Sequence, residues 1–227
     1  MATRPSADAK RRPQGMKAGL DLPQILRAAS SIPPDDLTMQ AVADRLGVDR
    51  KAVNHHVPDR ASLLRLVAVD AFARNFAPVS IPPECDWREA SRIYGHGIAT
   101  AVAALGPLAG HVRVSRSVDA LLLAATEALL AKFVEGGFDL ETGLRAVAML
   151  SEMCDAYGQG VAGMERDGGG MRDLWLREVL REHPEERPRY LLEAAQSVVS
   201  TYDARQLELS IEVFIHGFEG IASAGRP

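Results

Sequence analysis

The stretch Thr38-Met-Gln-Ala-Val-Ala-Asp-Arg-Leu-Gly-Val-Asp-Arg-Lys-Ala-Val-Asn-His-His-Val57 decides how the rest of the chain is read. Val42 and Leu46 are spaced to share one face of a helix that begins near Thr38. Ala43 is small and lets a neighbouring helix approach closely. Gly47 falls where the chain must leave that helix with a positive φ, a geometry that only glycine takes cheaply. Val48 plugs the turn into the core, and the carboxylate of Asp49 suits the cap of a following helix. Val53 and Val57 face back inward. Pro58 stops that helix, because the residue before a proline resists helical geometry. A small alanine, a glycine four residues on and a buried valine six further is helix-turn-helix spacing. Two helices joined this tightly cross steeply and leave the second one's outer face free.

Many helical hairpins turn on a glycine, so the outer face carries the argument. Arg50 and Lys51 occupy the first turn of the second helix, where the helix dipole disfavours each cation by about 0.3–1 kcal/mol. A local rule broken with no structural gain points to function. An arginine at the start of a recognition helix can bond guanine O6 and N7 together. Asn54 and His55 lie one turn on, within reach of base edges or phosphates, and Arg60, at the start of the next helix, is placed for a phosphate. Thr38, Met39, Gln40 and His56 complete the candidate DNA-contacting set. The competing reading is a solvated charged face.

Outward from this segment the chain reads as helices. Residues 1–19 are rich in Ala, Pro, Ser, Lys and Arg without an apolar period and are expected to be a disordered basic arm near the minor groove. A first helix is expected over Asp21–Ser31, with Leu22, Ile25, Leu26 and Ala29 on one stripe. The next three are expected near Thr38–Leu46, Asp49–His56 and Asp59–Phe76. Pro78, Pro82 and Pro83 mark a boundary between a front domain over 20–77 and a rear domain over 84–227. Rear helices are expected over Trp87–Leu105, Leu108–Val114, Val118–Glu135, Leu140–Met164, Met171–Glu182, Pro188–Val199 and Ala204–Ser223. No run alternates as a strand would, and there is no internal repeat. The predicted class is all-α, a three-helix helix-turn-helix domain followed by a helical domain.

Composition bounds the function. The chain has 227 residues, of which 47 % are apolar and 25 % charged, as in an ordinary globular protein. No stretch nears the roughly 20 apolar residues of a membrane helix, and the start has no apolar run of a secretory signal; a cytoplasmic protein is expected. The net charge of −4 is unevenly spread: residues 1–76 hold 12 Lys/Arg against 8 Asp/Glu. A basic front and an acidic rear would turn the front toward a polyanion. Cys85 and Cys154 have no metal-ligand spacing and read as two reduced thiols, a redox switch being the other reading. There is no Gly-rich phosphate loop, no G-x-S-x-G and no HExxH, so an enzyme is not expected.

Residues 20–70 resemble the DNA-binding domain of the tetracycline-repressor (TetR) family, whose pattern is a "T-x-x-x-L/V-A-x-x-L-G-V" helix and turn, a recognition helix ending near "L-Y-x-H-F", then a charged residue and "L-L". This chain offers Thr38, Val42-Ala43, Leu46-Gly47-Val48, Val53-Asn54-His55-His56-Val57, Arg60 and Leu63-Leu64. It departs at Asn54, where the family usually has a phosphate-touching tyrosine. His56 matches the family histidine, either as a phosphate contact or as a residue that helps to end the helix. Residues 206–221 look like the terminal dimerisation helix of the tetracycline-repressor subclass, with Leu207, Ile211, Phe214, Phe218 and Ile221 at helical spacing. The resemblance pairs it with Leu140–Met164 in a four-helix bundle between protomers, where Gly143, Ala146, Gly158, Gly160, Ala162 and Gly163 would suit close contact, a core role being the alternative.

The resemblance implies a homodimer on a palindromic DNA operator, a repressor released by an unknown small-molecule inducer that moves the fourth helix, with no cofactor and no membrane partner. Two-fold pairing supplies the second half-site that one short helix lacks. Candidate inducer-lining residues in the rear, ligand-binding and dimerisation domain are Tyr94, His96, His111, Met149, Met153, Tyr157 and Trp175. Met149, Met153 and Tyr157 share a helical stripe, for which ordinary core is the competing reading. Tyr94 and His96 are two apart and point to different sides. His96, His111 and His216 are each more simply structural than metal ligands, and no metal is assigned. The other function considered is a ligand-binding or protein-interaction module of the same fold without operator binding, favoured only by Asn54.

Overall fold

The computed structural model describes residues 20–112, 120–167, 171–183, 188–196 and 201–224. The expected basic arm, residues 1–19, lies outside the described residues, as does Trp175 in respect of its side chain. Among the described residues the chain is helical, with no strand. Ten α-helices follow in order: α1 (Leu22–Ala29), α2 (Met39–Leu46), α3 (Arg50–His56), α4 (Arg60–Phe76), α5 (Trp87–Ala103), α6 (Ala120–Glu135), α7 (Leu140–Asp167), α8 (Met171–Glu182), α9 (Arg189–Gln196) and α10 (Ala204–Ala224), with a short 3-10 turn at Gly106–His111.

Local chemistry sets these boundaries. Asp21 caps α1 by accepting from the Gln24 amide at 2.8 Å, while the Gln24 side chain accepts from the Asp21 amide at 3.1 Å. Asp49, Asp59 and Asp86 cap α3, α4 and α5 in the same manner, each carboxylate accepting from backbone N–H groups of the first turn. Gly136-Gly137 follows α6, with Gly137 at φ 93°.

Two cores form. Ile25, Ala29, Leu37, Val42, Ala43, Val53, Val57, Leu63, Leu64 and Val67 make the front core, from α1 to the first half of α4. In α1 the inward residues are Ile25, Ala28 and Ala29, whereas Leu22 is exposed. The rear core begins within α4 itself, at Ala68, Phe72 and Phe76, and continues through α5, α6, α7 and α10. α4 therefore contributes buried side chains to both cores and is a stiff link between them. At the far end of the rear core, Trp87, Phe133, Phe138, Phe214 and Phe218 pack ring to ring with centroids 4.8–6.4 Å apart.

The rear differs from expectation in how α7 and α10 use their small and apolar residues. Leu207, Ile211, Phe214 and Phe218 are buried in the chain's own core, and only Ile221 of that stripe is exposed. Gly143 faces Leu130 and Phe133 of α6, Gly158 faces Ala99 and Val102 of α5, and Gly160 lies beneath the Tyr202 ring. Ala146 and Ala162 are buried as well. These positions serve close packing within one chain, because α7 is wrapped by α5 and α6. Of the small residues read as interprotomer contacts, Gly163 is the one with open space around it, with nothing within 4 Å of where a Cβ would stand.

Candidate nucleic-acid interface

The turn between α2 and α3 is built as its residues dictate. Thr38 caps α2, its Oγ1 accepting from the Ala41 amide at 3.0 Å. Gly47 closes α2 in the left-handed region, at φ 65° and ψ 32°. The Val48 amide then donates to the Ala43 carbonyl at 3.0 Å and the Gly47 amide to Asp44 at 3.2 Å, a Schellman-type end. Asp49 Oδ1 accepts from the Lys51 amide at 2.7 Å, starting α3 at once. Val53 and Val57 are wholly buried, which turns the opposite face of α3 outward.

That outward face carries Arg50, Lys51, Asn54, His55 and His56, all exposed. None of the five makes a side-chain hydrogen bond or ion pair among the described residues. The two histidine rings meet edge to face at 5.5 Å. Among the described residues His56 makes no side-chain hydrogen bond at the end of α3, where Val57 turns to extended backbone at φ −133°. Gln40 is exposed and its amide donates to Asp44 Oδ1 at 2.7 Å.

Two of the expected contacts are corrected. Met39 is only 5 % exposed and packs in the front core, so its side chain is unavailable to DNA. Arg60 turns its guanidinium onto the protein's own backbone: Nε donates to the Leu37 carbonyl at 2.7 Å, and Nη2 to Pro34 at 3.0 Å and Asp35 at 3.4 Å. The beginnings of the three helices meet around a hollow of about 300 Å³ lined by Thr38, Met39, Gln40, Arg50, Pro58, Asp59 and Arg60. On its rim the Asp59 carboxyl is held below the usual carboxylate range, first by the Ser62 backbone amide that donates to it.

The residues read as lining an inducer do not converge. Tyr94 is buried, its hydroxyl 3.1 Å from Thr126 Oγ1 and 3.2 Å from Ser151 Oγ. His96 points instead to α10, 3.2 Å from Glu208. His111 is exposed, and Met149 is 54 % exposed. Met153 and Tyr157 are half-buried against the rear core, and the Tyr157 hydroxyl donates to the Asp203 carbonyl at 2.8 Å. The stripe drifts because α7 turns it from solvent at Met149 to the core at Met153. Two hollows of the rear domain, one of about 290 Å³ around Cys85, Trp87 and Lys132 and one of about 180 Å³ around Phe138 and Thr142, include none of these residues.

Sequence reading missed the buried Ser151 hydroxyl and the half-buried Thr126 hydroxyl, neither of which belongs to a recognisable pattern. It also missed the ties between α5 and α10: Arg88 to Glu219 at 2.5 Å, Arg92 to Glu212 at 2.8 Å and His96 to Glu208. The spacing of Arg88, Arg92 and His96, one helical turn apart each time, was the available signal.

No family model matches the chain, and no curated protein matches it. Solved structures do. A protein of Streptomyces coelicolor A3(2), described as a possible TetR family transcriptional regulator, superposes with a TM-score of 0.68 at 18 % identity, over 88 % of this chain and all of that one. ActR of Streptomyces coelicolor in complex with actinorhodin gives 0.67 at 22 % identity, over 92 % and 99 %. A TetR variant of Acinetobacter baumannii AYE in complex with minocycline gives 0.61 at 17 % identity, over 89 % and 98 %. The fold is that of these TetR-family regulators.

Proposed function

We propose that this chain is a homodimeric, ligand-responsive transcriptional regulator that binds palindromic duplex DNA through α3 and acts as a repressor released by a small-molecule inducer. The observation that carries the reading is the outer face of α3. Arg50, Lys51, Asn54 and His55 project from a helix whose other side is locked into the front core. Cations left unpaired at a helix start are what reading guanine edges and phosphates requires. The DNA-contacting set is Thr38, Gln40, Arg50, Lys51, Asn54, His55 and His56. A second copy supplies the second half-site, about 34–36 Å away along the duplex.

The dimer contact we assign to α10, on the side away from the rear core. Leu209, Val213 and Ile221 are more than half exposed there, and Gly217 and Gly220 on the same side have nothing within 4 Å of a would-be Cβ. Such a face admits a partner helix at short range. α4 is the transmitter: it is buried in both cores, so a ligand that repacks the rear core displaces the front. ActR and TetR have been seen with actinorhodin and minocycline respectively, and the inducer proposed for this chain is likewise a small organic molecule. Tyr94, Met153 and Tyr157 face the rear core and are the candidate residues nearest it. The protein is read as non-enzymatic and, with DNA as its partner, as cytoplasmic.

The test is selection of genomic fragments by the purified protein, followed by a salt titration. Affinity should fall linearly in log–log terms with a slope of about −0.9 per phosphate neutralised. A folded dimer that retains no fragment at low salt would instead be a ligand-binding or interaction module of the same fold.

A further inference from the structure

Arg60 stands at the first position of α4, yet its guanidinium reaches back more than twenty residues to the connection between α1 and α2. It grips the carbonyls of Pro34, Asp35 and Leu37. Leu37 is 1 % exposed and fixed in the front core. The next residue, Thr38, is the cap from which α2 starts. The fork therefore seizes the chain one residue before the cap of the helix that leads to the turn and α3. Guanidinium geometry is suited to such a grip. The group is planar, with donors pointing in fixed directions, and can serve several carbonyls at once, whereas an ammonium is a point charge on a flexible stem. Nε and Nη2 are thereby committed to backbone carbonyls, although the residue as a whole stays exposed.

We propose that Arg60 is a positioning residue, which fastens the start of α2 to the start of α4 and thereby sets the pose of α3, raising DNA affinity without neutralising a phosphate itself. The proposal rests on the DNA-binding reading above. It adds the connection through which α4 acts on the recognition helix. Leu63, Leu64 and Val67 seat α4 in the front core, and Ala68, Phe72 and Phe76 seat it in the rear. A turn or shift of α4 moves its first residue, and the fork passes that displacement to Thr38.

Salt dependence separates positioning from phosphate contact. The full chain and the variants R60K and R60Q are titrated with a duplex that the parent selects from a random-sequence pool, each protein corrected for its folded fraction by calorimetry. A phosphate-contacting arginine would survive as lysine, and in R60Q would flatten the log–log salt slope by about 0.9 for each copy lost. Positioning predicts that both variants lose roughly ten-fold in affinity while the slope stays that of the parent. Parental affinity in R60K, or a flattened slope in R60Q, overturns the proposal. Should R60Q fail to fold, R60K alone still decides it. A parent that binds no duplex at any salt would overturn the DNA-binding reading itself, an outcome distinct from either.

Discussion

Gly158 of α7 lies against the carbonyl oxygen of Ala99 in α5: a Cβ at residue 158 would stand 2.7 Å from that oxygen and 2.7 Å from the Val102 Cβ. Neither neighbour can swing aside, since one is backbone and the other the stiff root of a β-branched side chain. This crossing brings α5 and α7 together. Gly158→Ala should therefore force them apart and destabilise the protein by about 1–3 kcal/mol, despite the better helix propensity of alanine. Thermal unfolding checks it, and a variant that melts with or above the parent would show that the crossing is looser than described.

The helix-turn-helix was legible because every one of its devices is local. A threonine cap, a glycine at positive φ, an aspartate cap and two inward valines each leave a mark within a few residues. Gly158 was equally legible as a contact glycine, but its partner was not. Whether a small residue on α7 meets a helix of its own chain or of a second copy depends on tertiary packing, and the one-dimensional pattern is identical for both. Arg60 failed for a related reason. Its place beside α3 suggested a phosphate, while the carbonyls that hold it are more than twenty residues away. The stripe of Leu207, Ile211, Phe214 and Phe218 correctly marked a buried face but not whose core it enters.

The two cysteines should differ sharply in reactivity. Burial pushes the Cys154 thiol up to about 12, so almost no thiolate, the reactive species, exists near neutrality. Cys85 is half-buried and is also raised, chiefly by desolvation; its thiol donates to the Pro82 carbonyl at 3.1 Å. A disulfide-exchange dye at pH about 8 should titrate one thiol slowly in the native protein and the second only after denaturation. Two thiols reacting together in the native state would mean that the region around Cys154 opens readily.

The tie between Arg92 and Glu212 predicts an acid-sensitive contribution to stability. The hydrogen bond from Arg92 is the main cause that holds the Glu212 carboxyl below its ordinary value of 4.5. A carboxylate depressed in the folded state stabilises above its unfolded value and loses that effect as pH falls through the folded one. The melting temperature of E212Q should thus lie slightly below that of the parent at neutral pH, and the gap should close below about pH 4.5. A gap that is constant with pH would show that the difference comes from packing and not from the charge.

Removal of the α3 cations should separate function from folding. Arg50 and Lys51 are exposed, and surface substitutions of this kind usually change stability by less than about 0.5 kcal/mol. Arg50→Ala and Lys51→Ala should each strongly weaken specific DNA binding, with about 1–3 kcal/mol of discrimination lost per bidentate base contact. Circular dichroism and sedimentation should find fold and assembly unchanged. If either variant held a selected fragment as tightly as the parent, the reading face would have to be sought elsewhere.

The proposed dimer makes a prediction that a single glycine can test. Gly217 lies on the exposed side of α10, and nothing within the protomer comes within 4 Å of where its Cβ would be. Leucine there should leave the folded protomer intact and even favour the helix, since glycine in a helix interior costs about 0.5–1 kcal/mol relative to alanine. A partner helix seated over Leu209, Val213 and Gly217, however, would meet a new side chain where it needs close approach. Gly217→Leu should therefore turn a dimer into a monomer by sedimentation equilibrium, with unchanged helicity, and weaken DNA binding by removing the second half-site contact. A variant that stays dimeric at the parent's dissociation constant would move the two-fold contact off this face of α10.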